Sequence, residues 1–273
     1  MTGAGVFEIA LAEPLAGEAL LLAPAPPETT HQTVVETIIL HAEPLGPVTA
    51  SDDVRAAYLL RAQAGARPVV RYGFDPSGAG LPAAAFASFG SGFETLSAEL
   101  AEQIAGPGRP AAPEGLLQAI ADRFTYGHRG THLGTGEAAL PALGEALTVG
   151  SCVDIHSVCV AALRAAGAPA AYVIGGWVRE GDADRPTGHC WIALDAPGVA
   201  RDWDVSHHLE FGLGPVRPGL NPEPGRRFAL SFGRAPCFRI DGAVVEVLPA
   251  LSGFHWVSGP DAGRKLRTIG RFL

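Results

Sequence analysis

The segment Ser151–Ala166 constrains the fold more than any other part of the sequence, because it contains the start, the buried face and the end of one helix. Ser151 and Asp154 have the spacing of a capping box, which satisfies free N–H groups of a first helical turn. Apolar side chains then recur every three or four residues, the period of a helix packed on one side. Gly167 and Pro169 end this pattern. We therefore predict a helix whose first residue is Cys152.

Three strand-like runs follow this helix. They are Ala171–Val178, His189–Asp195 and Val199–Val205. Asp195–Gly198 has the composition of a tight turn, so the last two runs are predicted to form an antiparallel hairpin. If the turn is symmetric, His189 and Asp204 are direct cross-strand neighbours with Cβ atoms roughly 4.5–5.5 Å apart, and Asp202 is a diagonal neighbour at roughly 7–8 Å. A slip of one residue would move His189 and Asp204 to opposite faces.

The first part of the sequence has a different pattern, in which short strand-like runs are separated by Pro, Gly and Asp-Asp pairs. These runs are Val34–Ala42, Val54–Gln63 and Pro68–Gly73. Their spacing is typical of a small antiparallel sandwich. From Ala83 onward the apolar spacing becomes helical, at Phe93–Ile104 and at Pro113–Phe124. We predict an N-terminal β-rich domain over residues 1–76 and a second domain over residues 77–273.

Cys152 is the cysteine with the strongest case for chemistry. At the first residue of a helix, free N–H groups and the helix dipole stabilise a thiolate, and they can also hold an oxyanion. Cys159 and Cys237 are better explained as small buried hydrophobic residues. A His–Asp pair alone could be a surface pair, but with a helix-start cysteine it completes a nucleophile, a base and a group that orients the base. We predict these roles for Cys152, His189 and Asp204.

Four short motifs resemble the transglutaminase-like superfamily, in particular its bacterial cysteine protease or amidase members. They are Gly150-Ser151-Cys152, Leu163-Arg164-Ala165-Ala166-Gly167-Ala168-Pro169-Ala170, Gly188-His189-Cys190-Trp191 and Trp203-Asp204-Val205-Ser206. The resemblance covers about residues 93–232. It implies an α+β, papain-like core, in which the cysteine helix packs on an antiparallel sheet. It also implies acyl transfer from an amide through a thioester, to water or to an amine.

The resemblance also suggests residues around the reaction centre. Tyr126 lies where the family often has an aromatic residue, and Ser151 and Trp191 flank the predicted catalytic residues, so all three are candidates for substrate or oxyanion binding. Gly188 and Cys190 depart from the family pattern beside the histidine. By strand alternation, Cys190 is expected to point away from the site.

Composition limits the partners of this chain. It has 20 Lys and Arg against 28 Asp and Glu, a formal net charge of -8, and no concentrated run of basic residues. We therefore expect neither a nucleic-acid nor a membrane partner. The N-terminus lacks a signal-peptide pattern, and four cysteines in a chain of this length do not suggest a disulfide framework. A cytoplasmic location with reduced thiols is expected.

Three other functions agree less well with the sequence than amide hydrolysis does. A metal site could draw on Cys152, His189, Cys190, His207 and His208, but no CxxC spacing is present, and adjacent histidines at a strand end would point to opposite sides. No counterpart of the calcium clusters of animal transglutaminases is found, so no cofactor is expected. A non-enzymatic binding module is disfavoured because all three catalytic residue types are present. Hydrolysis of a peptide or amide bond is favoured over amine transfer; the substrate and the oligomeric state stay open.

Overall fold

The structure is a computed structural model that describes residues 5–105, 112–182, 186–195, 201–219 and 225–273. The chain divides into two compact units. The first comprises Met1–Ala85, Ile174–Gly188 and Gly225–Leu273, and the second comprises Phe86–Val173 and His189–Pro224. Both units are therefore discontinuous in sequence, and the linear division at residue 76 stays a prediction. Within the described ranges, no helix combines the length and apolar content that a membrane crossing requires.

The described elements are mostly short antiparallel strands. The strands are β1 (Gly5–Leu11), β2 (Ala19–Pro24), β3 (Thr33–Leu40), β4 (Glu43–Thr49), β5 (Ala56–Ala62), β6 (Val69–Asp75), β7 (Phe124–Tyr126), β8 (Thr148–Gly150), β9 (Ala170–Arg179), β10 (Thr187–Leu194), β11 (Asp202–Trp203), β12 (Gly225–Phe232), β13 (Cys237–Ile240), β14 (Ala243–Glu246), β15 (His255–Trp256) and β16 (Thr268–Phe272). The α-helices are α1 (Ala98–Ala105), α2 (Pro113–Ala121), α3 (Cys152–Ala165) and α4 (Val205–Glu210).

The first unit contains two four-stranded antiparallel sheets, with strand orders β16-β1-β6-β3 and β15-β2-β5-β4. Alternate residues of β1, such as Phe7 and Ile9, are buried, and so is Tyr72 of β6. These side chains share one apolar core with Leu21 and Leu60 from the second sheet. The three runs predicted in this region correspond to β3, β5 and β6. The prediction of a β-rich, sandwich-like N-terminal region is confirmed.

In the second unit, α3 begins at Cys152, as predicted, and ends at Ala165, one residue before the predicted end. The Asp154 carboxylate accepts hydrogen bonds from the Ser151 N–H at 3.0 Å and from its hydroxyl at 3.1 Å. Gly167 has a φ of 81°, a left-handed conformation that glycine adopts without steric cost. The α+β class, with a cysteine-bearing helix and antiparallel sheet strands, is confirmed.

Two predicted helices are shorter than their apolar spacing suggested. In the first, Gly92–Glu94 forms a single 3₁₀ turn, and α1 starts only after Ser97, whose hydroxyl accepts the Leu100 N–H at 3.1 Å. The second ends at Ala121, and Phe124 belongs to β7. A local cap and strand pairing therefore decide these boundaries, rather than the apolar period.

The predicted hairpin register is wrong by two residues. Ile192 pairs with Trp203, and Ala193 with Asp202. The ladder ends at Trp203, and α4 begins at Val205, so the predicted strand to Val205 is cut short. Residues 196–200, which include most of the predicted turn, lie outside the described residues. Because side chains alternate with period two, a shift of two residues still leaves Asp204 on the face that the prediction gave it.

Candidate active site

Cys152 is the first residue of α3, and its side chain is 7% exposed. The preceding segment is fixed by parallel pairing of β7 with β8, in which Tyr126 lies opposite Gly150. At this position the first N–H groups of α3 lack partners inside the helix, and the positive end of the dipole favours an anion. The local environment therefore suits a thiolate.

His189 and Asp204 meet through a side-chain hydrogen bond. The distance from His189 Nε2 to Asp204 Oδ2 is 2.8 Å, and both side chains are buried. The predicted register made Asp204 the cross-strand partner of His189, but the structure does not pair these two residues. It is instead the N-cap of α4, and its other oxygen accepts the His207 N–H at 3.1 Å and the Ser206 hydroxyl at 3.0 Å. A helix cap thus fixes the carboxylate.

The charges of Cys152 and His189 support each other. Burial is the largest influence on the pKa of His189 and disfavours its charged form. The charges and hydrogen bonds of Asp204 and Cys152 outweigh burial and raise the pKa of His189 to about 9. A hydrogen bond from the Cys190 thiol, followed by the hydrogen bond and charge of His189, holds the pKa of Cys152 well below its ordinary value of 9.0 against the cost of burial. Both shifts favour the charged forms, a thiolate on Cys152 and an imidazolium on His189.

Cys190 does not point away from the site, so that expectation is wrong. Its thiol is hydrogen-bonded with Cys152 and with Tyr172, and it is buried. Burial and the adjacent thiolate raise the pKa of Cys190, which keeps it protonated as an S–H donor. Strand alternation sets only the direction of a side chain from its own backbone. Because Cys152 contacts two successive residues of β10, the start of α3 must lie close to that strand.

Two further histidines surround Asp204. The Nδ1 atom of His207 lies 3.0 Å from Asp204 Oδ2, and the His207 ring stacks on the His189 ring with centroids 4.1 Å apart. His156 is fully buried in α3, where its Nε2 accepts the Ser206 N–H at 3.2 Å. Burial lowers the pKa of His156 to about 4, so this ring is neutral at pH 7.

The ligand atoms of His189, Asp204 and His207 all lie within 4.8 Å of one another, a grouping that could hold a metal ion. The separations from Asp204 Oδ2, 2.8 Å to His189 and 3.0 Å to His207, are hydrogen-bond distances. Tetrahedral zinc with ligands at about 2.0–2.1 Å needs ligand atoms roughly 3.3 Å apart. The residues as placed therefore fit a hydrogen-bonded group better than a zinc site. His207 and His208, predicted at a strand end, lie in α4.

The three residues predicted to bind substrate or an oxyanion occupy different positions. Trp191 packs on the His189 side of β10, with ring centroids 6.4 Å apart and an interplanar angle of 25°. Tyr126 is hydrogen-bonded with Glu210, and burial together with the charge of Cys152 raises its pKa, so its hydroxyl stays protonated. Ser151 is buried at the N-cap position of α3, and its hydroxyl donates to Asp154.

Sequence reasoning missed the roles of His156 and His207. His156 lies four residues after Cys152, the spacing that brings two side chains to one face of a helix. His207 lies three residues after Asp204, the spacing of an N-cap and the residue it caps. The spacing of His207 from Asp204 is informative only where Asp204 begins a helix, and the predicted strand through Val205 excluded that.

Residues 97–199 match the family model of the transglutaminase-like superfamily, and this match confirms the resemblance stated from the sequence. The matched region contains Cys152 and His189 and ends before Asp204. It relates this part of the chain to a family of cysteine-dependent hydrolases and acyltransferases. No curated protein matches the chain in sequence.

Two solved structures are similar to the chain at low identity. A candidate cysteine protease from Cytophaga hutchinsonii is 11% identical with a TM-score of 0.49, and the alignment covers 99% of this chain and 98% of that one. The periplasmic domain of TgpA from Pseudomonas aeruginosa is 15% identical with a TM-score of 0.35, and the alignment covers 77% of this chain and 89% of that one. Because both TM-scores lie below 0.5, the assignment rests on the family match.

Proposed function

We propose that this protein hydrolyses peptide or amide bonds, with Cys152 as the nucleophile, His189 as the acid and base, and Asp204 as the group that orients His189. The observation that carries the proposal is the pairing of a helix-start cysteine with a histidine whose Nε2 is held by Asp204 at 2.8 Å. Because Nε2 faces Asp204, Nδ1 is the nitrogen left to face Cys152. This division of one imidazole between a nucleophile and a carboxylate is the arrangement of catalytic triads.

In the first step, the Cys152 thiolate attacks the carbonyl carbon of the amide and forms a carbon–sulfur bond. The carbonyl oxygen becomes an oxyanion, which the N–H groups at the start of α3 are placed to stabilise. The His189 imidazolium then gives its proton to the departing amine as the carbon–nitrogen bond breaks. The products of this step are a thioester on Cys152, a free amine and a neutral imidazole.

In the second step, water attacks the thioester. Neutral His189 removes a proton from the water, the carbon–sulfur bond breaks, and the thiolate and the imidazolium are restored as the acid product leaves. Asp204 keeps the ring in the tautomer that each step needs. Transfer to an amine would pass through the same thioester and differ only in the attacking molecule. A cytoplasmic location and a peptide or protein substrate remain parts of this proposal.

The test uses a mixed-sequence peptide library, incubated in water enriched in heavy oxygen and analysed by mass spectrometry. We expect new carboxyl termini that carry one heavy oxygen, both with and without an added fluorescent alkylamine. Cys152→Ala should abolish these products and His189→Ala should nearly do so, whereas Cys237→Ala, the matched cysteine control, should retain them. Products joined to the alkylamine in place of the acids would indicate amine transfer, and cleavage that survives Cys152→Ala would refute the proposal.

A further inference from the structure

His207 makes two contacts with the proposed catalytic pair. Its Nδ1 lies 3.0 Å from the same Asp204 oxygen that His189 contacts at 2.8 Å. Its ring lies almost parallel to the His189 ring, with centroids 4.1 Å apart and an interplanar angle of 17°. His207 is 1% exposed, and Phe211, the C-cap residue of α4, packs against its ring with centroids 5.1 Å apart. The ring is therefore held in place from its own helix.

We propose that His207 is a positioning residue for His189, holding the imidazole plane by stacking and sharing the Asp204 oxygen that orients it. This inference rests on the proposed function, since it assigns His207 a task only if His189 exchanges protons with Cys152. Nothing in it requires His207 to touch the substrate.

The stack restricts a motion that the hydrogen bonds of His189 leave open. Hydrogen bonds with Asp204 and Cys152 fix the line that joins the two ring nitrogens, but the ring plane can still tilt about that line. A parallel ring at 4.1 Å blocks the tilt on one side. Nδ1 is then directed at Cys152 in every turnover, and this kind of pre-alignment is what proton transfer between fixed groups requires.

The shared oxygen also sets how strongly Asp204 acts on His189. Asp204 accepts from Ser206 and the His207 backbone on one oxygen, and lies within hydrogen-bond distance of the two imidazoles on the other. A second donor on the same oxygen spreads the negative charge that favours the imidazolium. Removing the His207 N–H should therefore strengthen the interaction of Asp204 with protonated His189 and make His189 harder to deprotonate.

The effect of His207 on the deprotonation of His189 can be measured only if the other titratable residues near His189 are left in place. Cys152 and His156 face it from α3, Asp204 and Glu210 from the segment of α4, and Cys190 is its neighbour in β10. None of these residues is replaced in a variant at position 207, and His156, which His207 also influences, has a pKa of about 4 and stays neutral over the upper limb. The upper limb of the pH profile, where the imidazolium loses its proton, then reports the effect of His207 alone.

The experiment separates the two contacts with two variants. His207→Phe keeps a ring for stacking but removes the N–H, and His207→Asn keeps a side-chain N–H but removes the ring. His208→Gln, the next residue in α4, is the matched control. For each protein, the rate of Cys152 alkylation by iodoacetamide is measured from pH 5 to 10, and kcat and KM are measured on a peptide from the cleavage test.

We expect His207→Phe to shift the upper limb upward by about half a pH unit, because the imidazolium becomes harder to deprotonate. We expect His207→Asn to leave that limb in place and to lower kcat about 10–100-fold with KM little changed, because the ring is then free to tilt. His208→Gln should match the wild type in both measurements. Titration of Cys152 in each sample gives the fraction of folded sites, so that rates are compared per site.

If both His207 variants keep the wild-type upper limb and the wild-type kcat per folded site, the inference is overturned, and His207 contributes to folding only. If the wild-type protein itself shows no low-pH alkylation of Cys152, the proposed function fails before His207 is tested. The two failures are therefore distinguishable in one data set.

Discussion

Replacing Asp204 with asparagine tests how one buried carboxylate controls the charge of His189. Asparagine keeps a side-chain oxygen that can cap α4, so the fold should persist. Burial alone would lower the pKa of His189, and Asp204 is the main influence that raises it from 6.5 to about 9. That rise corresponds to ~3 kcal/mol in favour of the imidazolium. Without the carboxylate, His189 should be neutral at pH 7 and the Cys152 thiolate should lose its counter-ion.

The assay is kcat/KM for Asp204→Asn and Asp202→Asn side by side, with circular dichroism to confirm folding. We expect a loss on the order of 10²–10⁴ for Asp204→Asn, by analogy with other triads. Asp202→Asn should cost little, because Asp204 already supplies the oxygen 2.8 Å from His189 Nε2. Full activity in Asp204→Asn, or loss of activity only in Asp202→Asn, would refute the assignment of the carboxylate.

Three further predictions concern Cys190, metal ions and pH. Cys190→Ala removes the hydrogen bond that does most to lower the pKa of Cys152, so alkylation of Cys152 should begin at higher pH; an unchanged onset would contradict this. Dialysis against a chelator should leave peptide cleavage unchanged, and a loss that zinc restores would assign the histidine group to a metal. Buried His156 and His255 each have a pKa of about 4, below the ordinary 6.5, so the unfolded chain gains protons first as pH falls from 6.5 towards 4. Tm should therefore decrease from pH 7 to pH 5, and a Tm that does not change over this range would refute the prediction.

The start of α3 could be predicted from sequence because its signals are local. A capping pair, an apolar period and a Gly–Pro stop all act within one segment, and the helix begins at Cys152 as they indicate. The pairing of His189 with Asp204 was also predicted, although for a reason that the structure corrects. The hairpin register was off by two residues, and because alternation has period two, Asp204 remained on the correct face.

The rest of the site depends on contacts between distant segments, which periodicity does not encode. Because α4 follows β11 directly, Asp204 is the N-cap of α4, and the His207 ring stacks on the His189 ring. The contact of Cys190 with Cys152 likewise depends on where the helix start meets β10. Neither could be derived from the spacing of residues along one strand.

The most direct test of the proposed chemistry is the labelling of the four cysteines with iodoacetamide at about pH 6, well below the pKa of a free thiol, followed by peptide mapping. Cys237 is the matched reference, because it is more exposed than Cys152 and a preference for Cys152 cannot come from access. We expect Cys152 to be alkylated first and almost alone, and His189→Ala to remove this preference. Labelling of Cys152 no faster than Cys237 would contradict the thiolate–imidazolium pair on which the proposed chemistry depends.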